Sequence, residues 1–161
     1  MGEIGSEFWN VIENKKNREF LLSGRTALEF IIRDILSQKK YESVLMPSYC
    51  CHTMIEPFIR HGIKVRFYDI WFDSDVGMCT EIPMFLEKEI FYYMEYFGFS
   101  QLNGLNRQEI RKDYPIIIED RTHSLLRSQK GELADYFYES YRKWSGFYGI
   151  ASATKKMGGF H

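Results

Sequence analysis

The sequence has no long hydrophobic run and no excess of charge of either sign. None of its apolar stretches approaches the ~20 residues that a membrane helix needs, and the first ten residues contain acids and lack a signal-peptide profile. The 161 residues include 21 Lys and Arg against 22 Asp and Glu. The basic residues are scattered, which argues against a nucleic-acid partner. We therefore expect a cytoplasmic protein with no membrane and no nucleic-acid partner.

Cysteine is also scarce. There are three cysteines, of which Cys50 and Cys51 are adjacent and Cys79 stands alone. Their number and spacing fit neither a disulfide framework nor a zinc site, so we expect reduced thiols and no metal. What the sequence does have is apolar residues, at 45% of the chain. A chain of this length and composition can bury one sizeable core, which predicts a single domain over 1–161.

The segment Pro115–His123 carries the clearest structural signal. Its run of three isoleucines, Ile116–Ile118, is typical of a strand buried on both faces of a parallel sheet. Asp120 follows at the carboxyl end of this strand, and His123 comes soon after. Ligands of open α/β sheets bind at the carboxyl ends of the strands. We therefore interpret Asp120 and His123 as candidate site residues.

Helical and strand patterns alternate along the rest of the chain. Apolar residues between Leu28 and Leu36 recur at the spacing of one helix face. Thr53 and Glu56 have the spacing of a capping box at the start of a second helix. The pattern predicts strands at 43–47, 64–68, 90–97, 134–138 and 147–153, further helices at 84–88 and 106–114, and a short helix or arm within 1–20. This order predicts a mostly parallel sheet flanked by helices in three α/β/α layers.

The start of the first helix is a candidate phosphate site. Helix N-termini present free N–H groups and attract anions. Ser23, Gly24, Arg25 and Thr26 lie at this point of the sequence. An ordinary N-cap is the alternative interpretation of Ser23.

Three kinds of group in this sequence are those that hold pyridoxal 5'-phosphate (PLP): a helix start for the phosphate, a carboxylate for the pyridinium nitrogen and a lysine for an imine. The lysine is Lys143, in the segment Ser140–Trp144. Together with Ser23–Leu28, Pro47–Tyr49 and Ile118–His123, this segment resembles the DegT/DnrJ/EryC1/StrS family of PLP-dependent aminotransferases. The resemblance extends from about residue 5 to about residue 149.

The resemblance implies a fold and an activity. The fold would be that of the large domain of a fold-type I PLP enzyme, truncated to its N-terminal portion and without the small C-terminal domain. The activity would be transfer of an amino group from a small-molecule donor to a keto acceptor, with a nucleotide-sugar as the family's usual kind of acceptor. The chain would work as a homodimer or in association with a partner chain.

The resemblance also implies roles for individual residues. Lys143 would form the aldimine with PLP, and Asp120 would pair with the ring nitrogen. The phosphate would be bound by Gly24, Arg25, Thr26 and Ser140. His123 would face the ring, and an aromatic residue of the loop after Pro47, Tyr49 or His52, would stack on it; the position that matches the family's stacking residue is Cys51.

Three alternatives remain open at this point. Lys155 and Lys156 compete with Lys143 for the imine, because Ala153-Thr154-Lys155 resembles another version of the family's lysine motif. The protein could be a catalytically incomplete homologue that acts as a binding or partner module. It could also be an α/β domain that binds a different phosphate at Ser23–Thr26.

Overall fold

The computed structural model describes residues 17–102, 104–126, 133–146 and 148–161. They form one eight-stranded sheet in the order β1-β8-β7-β6-β5-β2-β3-β4. The strands are β1 (Arg18–Leu21), β2 (Ser43–Pro47), β3 (Lys64–Asp73), β4 (Gly77–Glu81), β5 (Glu89–Met94), β6 (Ile116–Asp120), β7 (Tyr136–Ser140) and β8 (Ala151–Lys155). The helices are α1 (Gly24–Gln38), α2 (His52–Arg60) and α3 (Arg107–Asp113).

The centre of the sheet is parallel and its edges are antiparallel. Strands β3, β2, β5, β6 and β7 run in one direction, whereas β4, β8 and β1 each run against their neighbours. The predicted β-α-β unit is confirmed as β2, α2 and β3, and β2 and β3 are parallel neighbours. The carboxyl ends of the five parallel strands therefore meet at one edge of the sheet, which we call the carboxyl edge.

Helices cover both faces of the sheet. On one face, α1 buries Leu28, Ile31 and Ile35 and α2 buries Phe58 in a core shared with the sheet. On the other face, α3 contributes Ile110 to a second core. Successive residues of a strand point to opposite faces, so each central strand supplies both cores. The predicted three-layer α/β/α fold is confirmed.

Helix α1 begins where the sequence predicts. Ser23 is its N-cap, and its Oγ accepts a hydrogen bond from the backbone N–H of Thr26 at 3.2 Å. The Thr26 hydroxyl in turn accepts from the Ser23 N–H at 2.9 Å, which completes a capping box. The ordinary cap interpretation of Ser23 is thus confirmed. The first-turn N–H groups of Gly24 and Arg25 still lack an intrahelical acceptor.

Four sequence-based predictions differ from the structure. The helix at 84–88 is wrong, because these residues form neither helix nor strand and lie between β4 and β5. Before them, β3 continues to Asp73 and turns back as β4. Two N–H groups, of Asp75 and Val76, donate to Asp73 Oδ1 and fix this turn. The capping box at Thr53 is also wrong, because α2 begins at His52 with Cys51 as its N-cap and no side-chain cap. The strands expected at 134–138 and 147–153 lie at Tyr136–Ser140 and Ala151–Lys155.

Strand β1 was not predicted, since the sequence suggested only a short helix or arm within 1–20. Residues 1–16 of that arm lie outside the described residues. Residues Arg18–Leu21 pair with β8 and form the sheet edge. Of the helices formed by the described residues, none combines the length and the apolarity that a membrane crossing requires.

A buried carboxylate ties α1 to the end of β8. Asp34 is 3% exposed. It accepts hydrogen bonds from Tyr136 Oη at 2.6 Å, Lys155 Nζ at 2.9 Å and the backbone N–H of His161 at 2.6 Å. Burial alone raises the pKa of Asp34, but these three donors outweigh it and hold the pKa below its usual value.

We expect Asp34→Asn to destabilise the fold by about 3 kcal/mol at pH 7, because it leaves the ammonium of Lys155 buried without its counter-charge. A carboxylate with a lowered pKa stabilises the folded state above its unfolded pKa, so the difference from the wild type should shrink as the pH falls below about 4. Urea unfolding at pH 7 and pH 3 measures both effects. Asp113→Asn, at an exposed position of α3, is the matched control and should change stability by less than about 0.5 kcal/mol; equal losses in the two variants would contradict the role of Asp34.

Candidate functional site

Asp120 lies at the carboxyl end of β6 with its side chain enclosed. It is 1% exposed. Its Oδ2 accepts hydrogen bonds from Tyr138 Oη at 2.5 Å and Tyr92 Oη at 2.8 Å. Its Oδ1 accepts from the backbone N–H of Thr122 at 2.8 Å. Three donors therefore stabilise and orient this carboxylate, and Oδ1 has accepting capacity left for a further donor.

The register of the sheet brings the two tyrosines to the acid. Asp120 pairs with Tyr138 in β7 and with Met94 in β5. Tyr92 lies two residues before Met94. All three side chains thus point to the face covered by α1. Burial is the main cause that raises the pKa of both tyrosines, and the nearby carboxylate raises it further. Both hydroxyls consequently stay protonated and can donate.

The adjacent acid, Glu119, faces the opposite side of the sheet. It forms a 2.6 Å ion pair with Arg121, whose guanidinium lies 3.6 Å from the centroid of the Phe137 ring. Both charged residues are buried. Of the two acids that end the isoleucine strand, only Asp120 is therefore directed to the α1 side.

Lys143 approaches Asp120 from the loop after β7. A 3-10 turn over Tyr141–Lys143 places Nζ of Lys143 3.2 Å from Thr122 Oγ1. The next residue, Trp144, donates its indole N–H to the carbonyl oxygen of Thr122 at 2.9 Å. The predicted amine and the predicted acid thus both contact Thr122. Lys143 is exposed, so its amine is accessible to a small molecule.

The N-terminus of α1 reaches the same place. A Cβ built on Gly24 would lie 3.5 Å from Ser140 Cβ, 3.5 Å from a ring carbon of Tyr138 and 3.7 Å from Thr122 Cγ2. The first turn of α1 therefore lies beside Ser140 and Thr122, with its positive end at the carboxyl edge. Gly24 and Ser140, two of the predicted phosphate-binding residues, therefore lie beside each other.

Two other predicted residues of this helix start have additional partners. The hydroxyl of Thr26 is part of the capping box with Ser23. Arg25 is exposed, and its guanidinium lies 3.9 Å from a carboxylate oxygen of Glu56 in α2. Both side chains are at the surface and remain free to turn towards an anion.

His123 packs against two aromatic rings, Tyr96 and Phe97, at this edge. Its ring stacks on Phe97 with the centroids 5.0 Å apart, and Nδ1 is buried without a hydrogen-bond partner. Burial lowers the pKa of His123, the positive charge of Lys143 lowers it further, and Asp120 raises it. His123 is therefore neutral at pH 7, and both of the predicted catalytic residues lie within its electrostatic range.

The loop after β2 borders the site. The Tyr49 ring lies 5.7 Å from the Tyr96 ring, and its carbonyl accepts a hydrogen bond from the Tyr96 hydroxyl. The two hydrogen bonds of Thr53 lower the pKa of Cys51, and the charges of Lys143 and Arg25 lower it further. Cys51 and its sequence neighbour His52 are both exposed where α2 begins.

The alternative lysines lie at the other end of the sheet. Strand β8 runs against β7, so Ala151 pairs with Ser140 at the carboxyl edge and Lys155 pairs with Tyr136 at the amino edge. Lys155 binds Asp34, ten residues or about 15 Å along α1 from Gly24. Lys156, which follows it, donates its backbone N–H to Asp135. Strand direction therefore favours Lys143 as the amine that accompanies Asp120.

Comparison with solved structures places this geometry in a known fold. A proposed sugar aminotransferase from Streptococcus pneumoniae, Spr1654 in its PLP form, matches with 20% identity and a TM-score of 0.65 over 88% of this chain and 42% of its own. NtdA from Bacillus subtilis with bound cofactor PMP matches with 15% identity and a TM-score of 0.68 over 95% of this chain and 37% of its own. The chain has the fold of PLP fold-type I enzymes.

A third structure is GDP-4-keto-6-deoxymannose-3-dehydratase with a trapped PLP-glutamate geminal diamine. It matches with 18% identity and a TM-score of 0.64 over 94% of this chain and 42% of its own. The chain spans about two fifths of the length of these three proteins. No family model matches the sequence, and no curated protein matches it.

The residues at the carboxyl edge fit PLP by their chemistry. They offer an oriented carboxylate, an accessible primary amine and a helix start, together with an unpartnered buried nitrogen on His123. Sequence reasoning missed Tyr92 and Tyr138 because only the sheet register shows that they adjoin Asp120. Within the described part of the chain, no group of three or more His, Cys, Asp and Glu could hold a metal ion.

We expect Tyr138→Phe to destabilise the protein by about 1–2 kcal/mol, because it removes a donor from a buried carboxylate. Tyr114→Phe is the matched control, since the hydroxyl of Tyr114 is buried without a partner and its loss should be neutral or slightly stabilising. Urea unfolding of the two variants measures the difference. A Tyr138→Phe variant as stable as Tyr114→Phe would show that the hydroxyl does not stabilise Asp120.

The titration of His123 reports whether the amine and the acid lie together. In NMR spectra of the imidazole ring, we expect Lys143→Gln to raise the pKa of His123 and Asp120→Asn to lower it, since the first removes a positive and the second a negative neighbour. Lys112→Gln, on the exposed side of α3, should leave the pKa unchanged. A His123 pKa that responds to neither site variant would place the two groups apart.

Proposed function

We propose that this protein is a PLP-dependent aminotransferase-like protein of the DegT/DnrJ/EryC1/StrS family, which transfers an amino group to a keto group. The observation that carries the proposal is the meeting of three elements at Thr122. Its N–H binds Asp120, its hydroxyl binds Lys143, and its methyl group adjoins the start of α1. Carboxylate, amine and anion site are the three groups that PLP requires.

The chain offers a partner for each part of the cofactor. Asp120 would bind the protonated ring nitrogen, and Lys143 would bind the cofactor covalently. The phosphate would lie against the first turn of α1, with Gly24, Arg25, Thr26 and Ser140 around it. When bound, PLP supplies an aldehyde that reacts with amines and a ring that accepts electrons.

The protein's own residues have two tasks in this proposal. Asp120, whose carboxylate is oriented by three hydrogen bonds, would pair with the ring nitrogen and favour the protonated, positively charged form of that nitrogen. Once the substrate amine has displaced it from the cofactor, Nζ of Lys143 would act as a general base and acid that moves a proton from the substrate carbon that bears the amine to the cofactor. His123, which is neutral, would offer its free Nδ1 as a hydrogen-bonding group beside them.

The substrate class is proposed from resemblance. One solved neighbour is described as a sugar aminotransferase and another acts on a GDP-linked keto sugar. We propose a nucleotide-sugar as the keto acceptor and a small-molecule amine as the donor. The setting would be the cytoplasm, with the chain in a homodimer or in association with a partner chain. Tyr49 or His52 would contact the ring from the loop after β2.

Borohydride reduction tests the proposal. Protein mixed with PLP, reduced and digested should carry the pyridoxyl mass on the peptide that contains Lys143. Lys143→Ala should abolish this label, whereas Lys112→Ala, at an exposed position of α3, should retain it. Label on Lys155 or Lys156 instead, or no label at all, would contradict the assignment.

Amino transfer is measured separately from labelling. Incubation of the PLP-loaded protein with an amino donor should convert the cofactor to its amine form, with loss of the absorbance of the lysine-bound form. Label on Lys143 without this conversion for any donor would contradict the aminotransferase activity. It would instead indicate the alternative, a catalytically incomplete homologue that binds the cofactor as a binding or partner module.

A further inference from the structure

Thr122 forms hydrogen bonds with both the acid and the amine of the site. Its backbone N–H donates to Asp120 Oδ1 at 2.8 Å, and its hydroxyl oxygen accepts from Lys143 Nζ at 3.2 Å. Its carbonyl oxygen accepts the indole N–H of Trp144 at 2.9 Å. Thr122 is 4% exposed. Its three polar groups are therefore all used at the carboxyl edge of the sheet.

The methyl group and the hydroxyl of Thr122 point to different parts of the site. Gly24 has no Cβ, but one placed there would lie 3.7 Å from the methyl carbon Cγ2, so the methyl group faces the start of α1. A β-branched side chain has few allowed χ1 values, so the direction of the methyl group restricts where Oγ1 points. It points to Lys143. The side chain of Thr122 thus lies between the amine of Lys143 and the start of α1.

We propose that Thr122 is a positioning residue for Lys143. Its hydroxyl holds Nζ of Lys143, and its carbonyl oxygen holds the loop that carries Lys143 by accepting a hydrogen bond from Trp144. Together, these two bonds set the position of Nζ relative to Asp120. A nucleophile held close to its target reacts faster than one on a freely moving side chain. The inference rests on the proposed function, because it concerns the attachment of PLP to Lys143.

The test separates covalent attachment of the cofactor from its binding. We compare Thr122→Val, which keeps the shape and loses the hydroxyl, with Thr122→Ser, which keeps the hydroxyl. Attachment of PLP to Lys143 should be about tenfold slower in Thr122→Val and near the wild-type rate in Thr122→Ser, since the hydrogen bond that positions Nζ is lost only in the first. Rapid-mixing absorbance gives the rate, and borohydride labelling confirms that Lys143 is the residue attached.

The affinity for pyridoxamine phosphate distinguishes a positioning role from a merely structural one, because general damage to the site would lower this affinity. Pyridoxamine phosphate cannot bond covalently to lysine, so it reports on the phosphate and ring contacts alone. Its affinity should differ by less than twofold between the wild type and Thr122→Val. A comparable loss of pyridoxamine phosphate affinity and of attachment rate would overturn the proposal, because it would indicate general damage to the site.

Thr154→Val is the matched control. Thr154 is buried in β8 and its hydroxyl has no hydrogen-bond partner, so the variant makes the same chemical change away from the site. It should attach PLP at the wild-type rate. Equal rates in Thr122→Val and the wild type, or equal slowing in both Val variants, would contradict a role for the Thr122 hydroxyl. If Thr122→Val does not fold, Thr122→Ser and Thr122→Ala, which differ by one oxygen, give the same comparison.

Failure of the proposed function gives a different result. A wild-type protein that binds neither PLP nor pyridoxamine phosphate would overturn the function, and the inference about Thr122 with it. A wild-type protein that attaches PLP at Lys143, together with variants that attach it equally fast, would leave the function intact and overturn only the role of Thr122.

Discussion

The buried carboxylate of Asp120 is the constraint on which the arrangement of the site depends. A carboxylate removed from water needs hydrogen-bond donors, because an uncompensated buried charge is strongly unfavourable. Here the donors are two tyrosines from the adjacent strands and one backbone N–H. These bonds connect β5, β6 and β7 at their carboxyl ends. The requirement to stabilise one charge thus also fixes the direction in which that charge points.

Strand direction then decides which of the remaining groups can reach Asp120. Parallel strands bring the residues that follow β2, β6 and β7 to the same edge, and α1 begins there because the chain enters it from β1. Strand β8 runs the other way and carries Lys155 to the opposite edge, where it neutralises Asp34. Two lysines close in sequence therefore lie at opposite edges, Lys143 at an exposed position and Lys155 in a buried network.

Much of this could be predicted from the sequence. The isoleucine strand, the acid at its end and the capped first helix follow from local patterns, because burial on both faces selects β-branched residues and a helix start selects Ser and Thr. Lys143 and Gly24 were assigned to one site by resemblance, and the structure brings both to Thr122.

The remaining features depend on contacts between segments that are distant in sequence. The bonds of Tyr92 and Tyr138 to Asp120 arise from the register of three strands, which no single segment encodes. The position of Lys155 at the edge opposite Lys143 follows from the direction of β8. The extension of β3 to Asp73 likewise depends on its pairing with β4. The expected helix at 84–88 does not form, because a pattern this short is not helical without packing to support it.

A crystal structure of the protein grown with PLP tests the central claim most directly. The account predicts the ring nitrogen within hydrogen-bond distance of Asp120, continuous electron density from the cofactor to Lys143 Nζ, and the phosphate at the first turn of α1. Cofactor density at another place, or a ring nitrogen that faces away from Asp120 while Lys143 points to solvent, would contradict it.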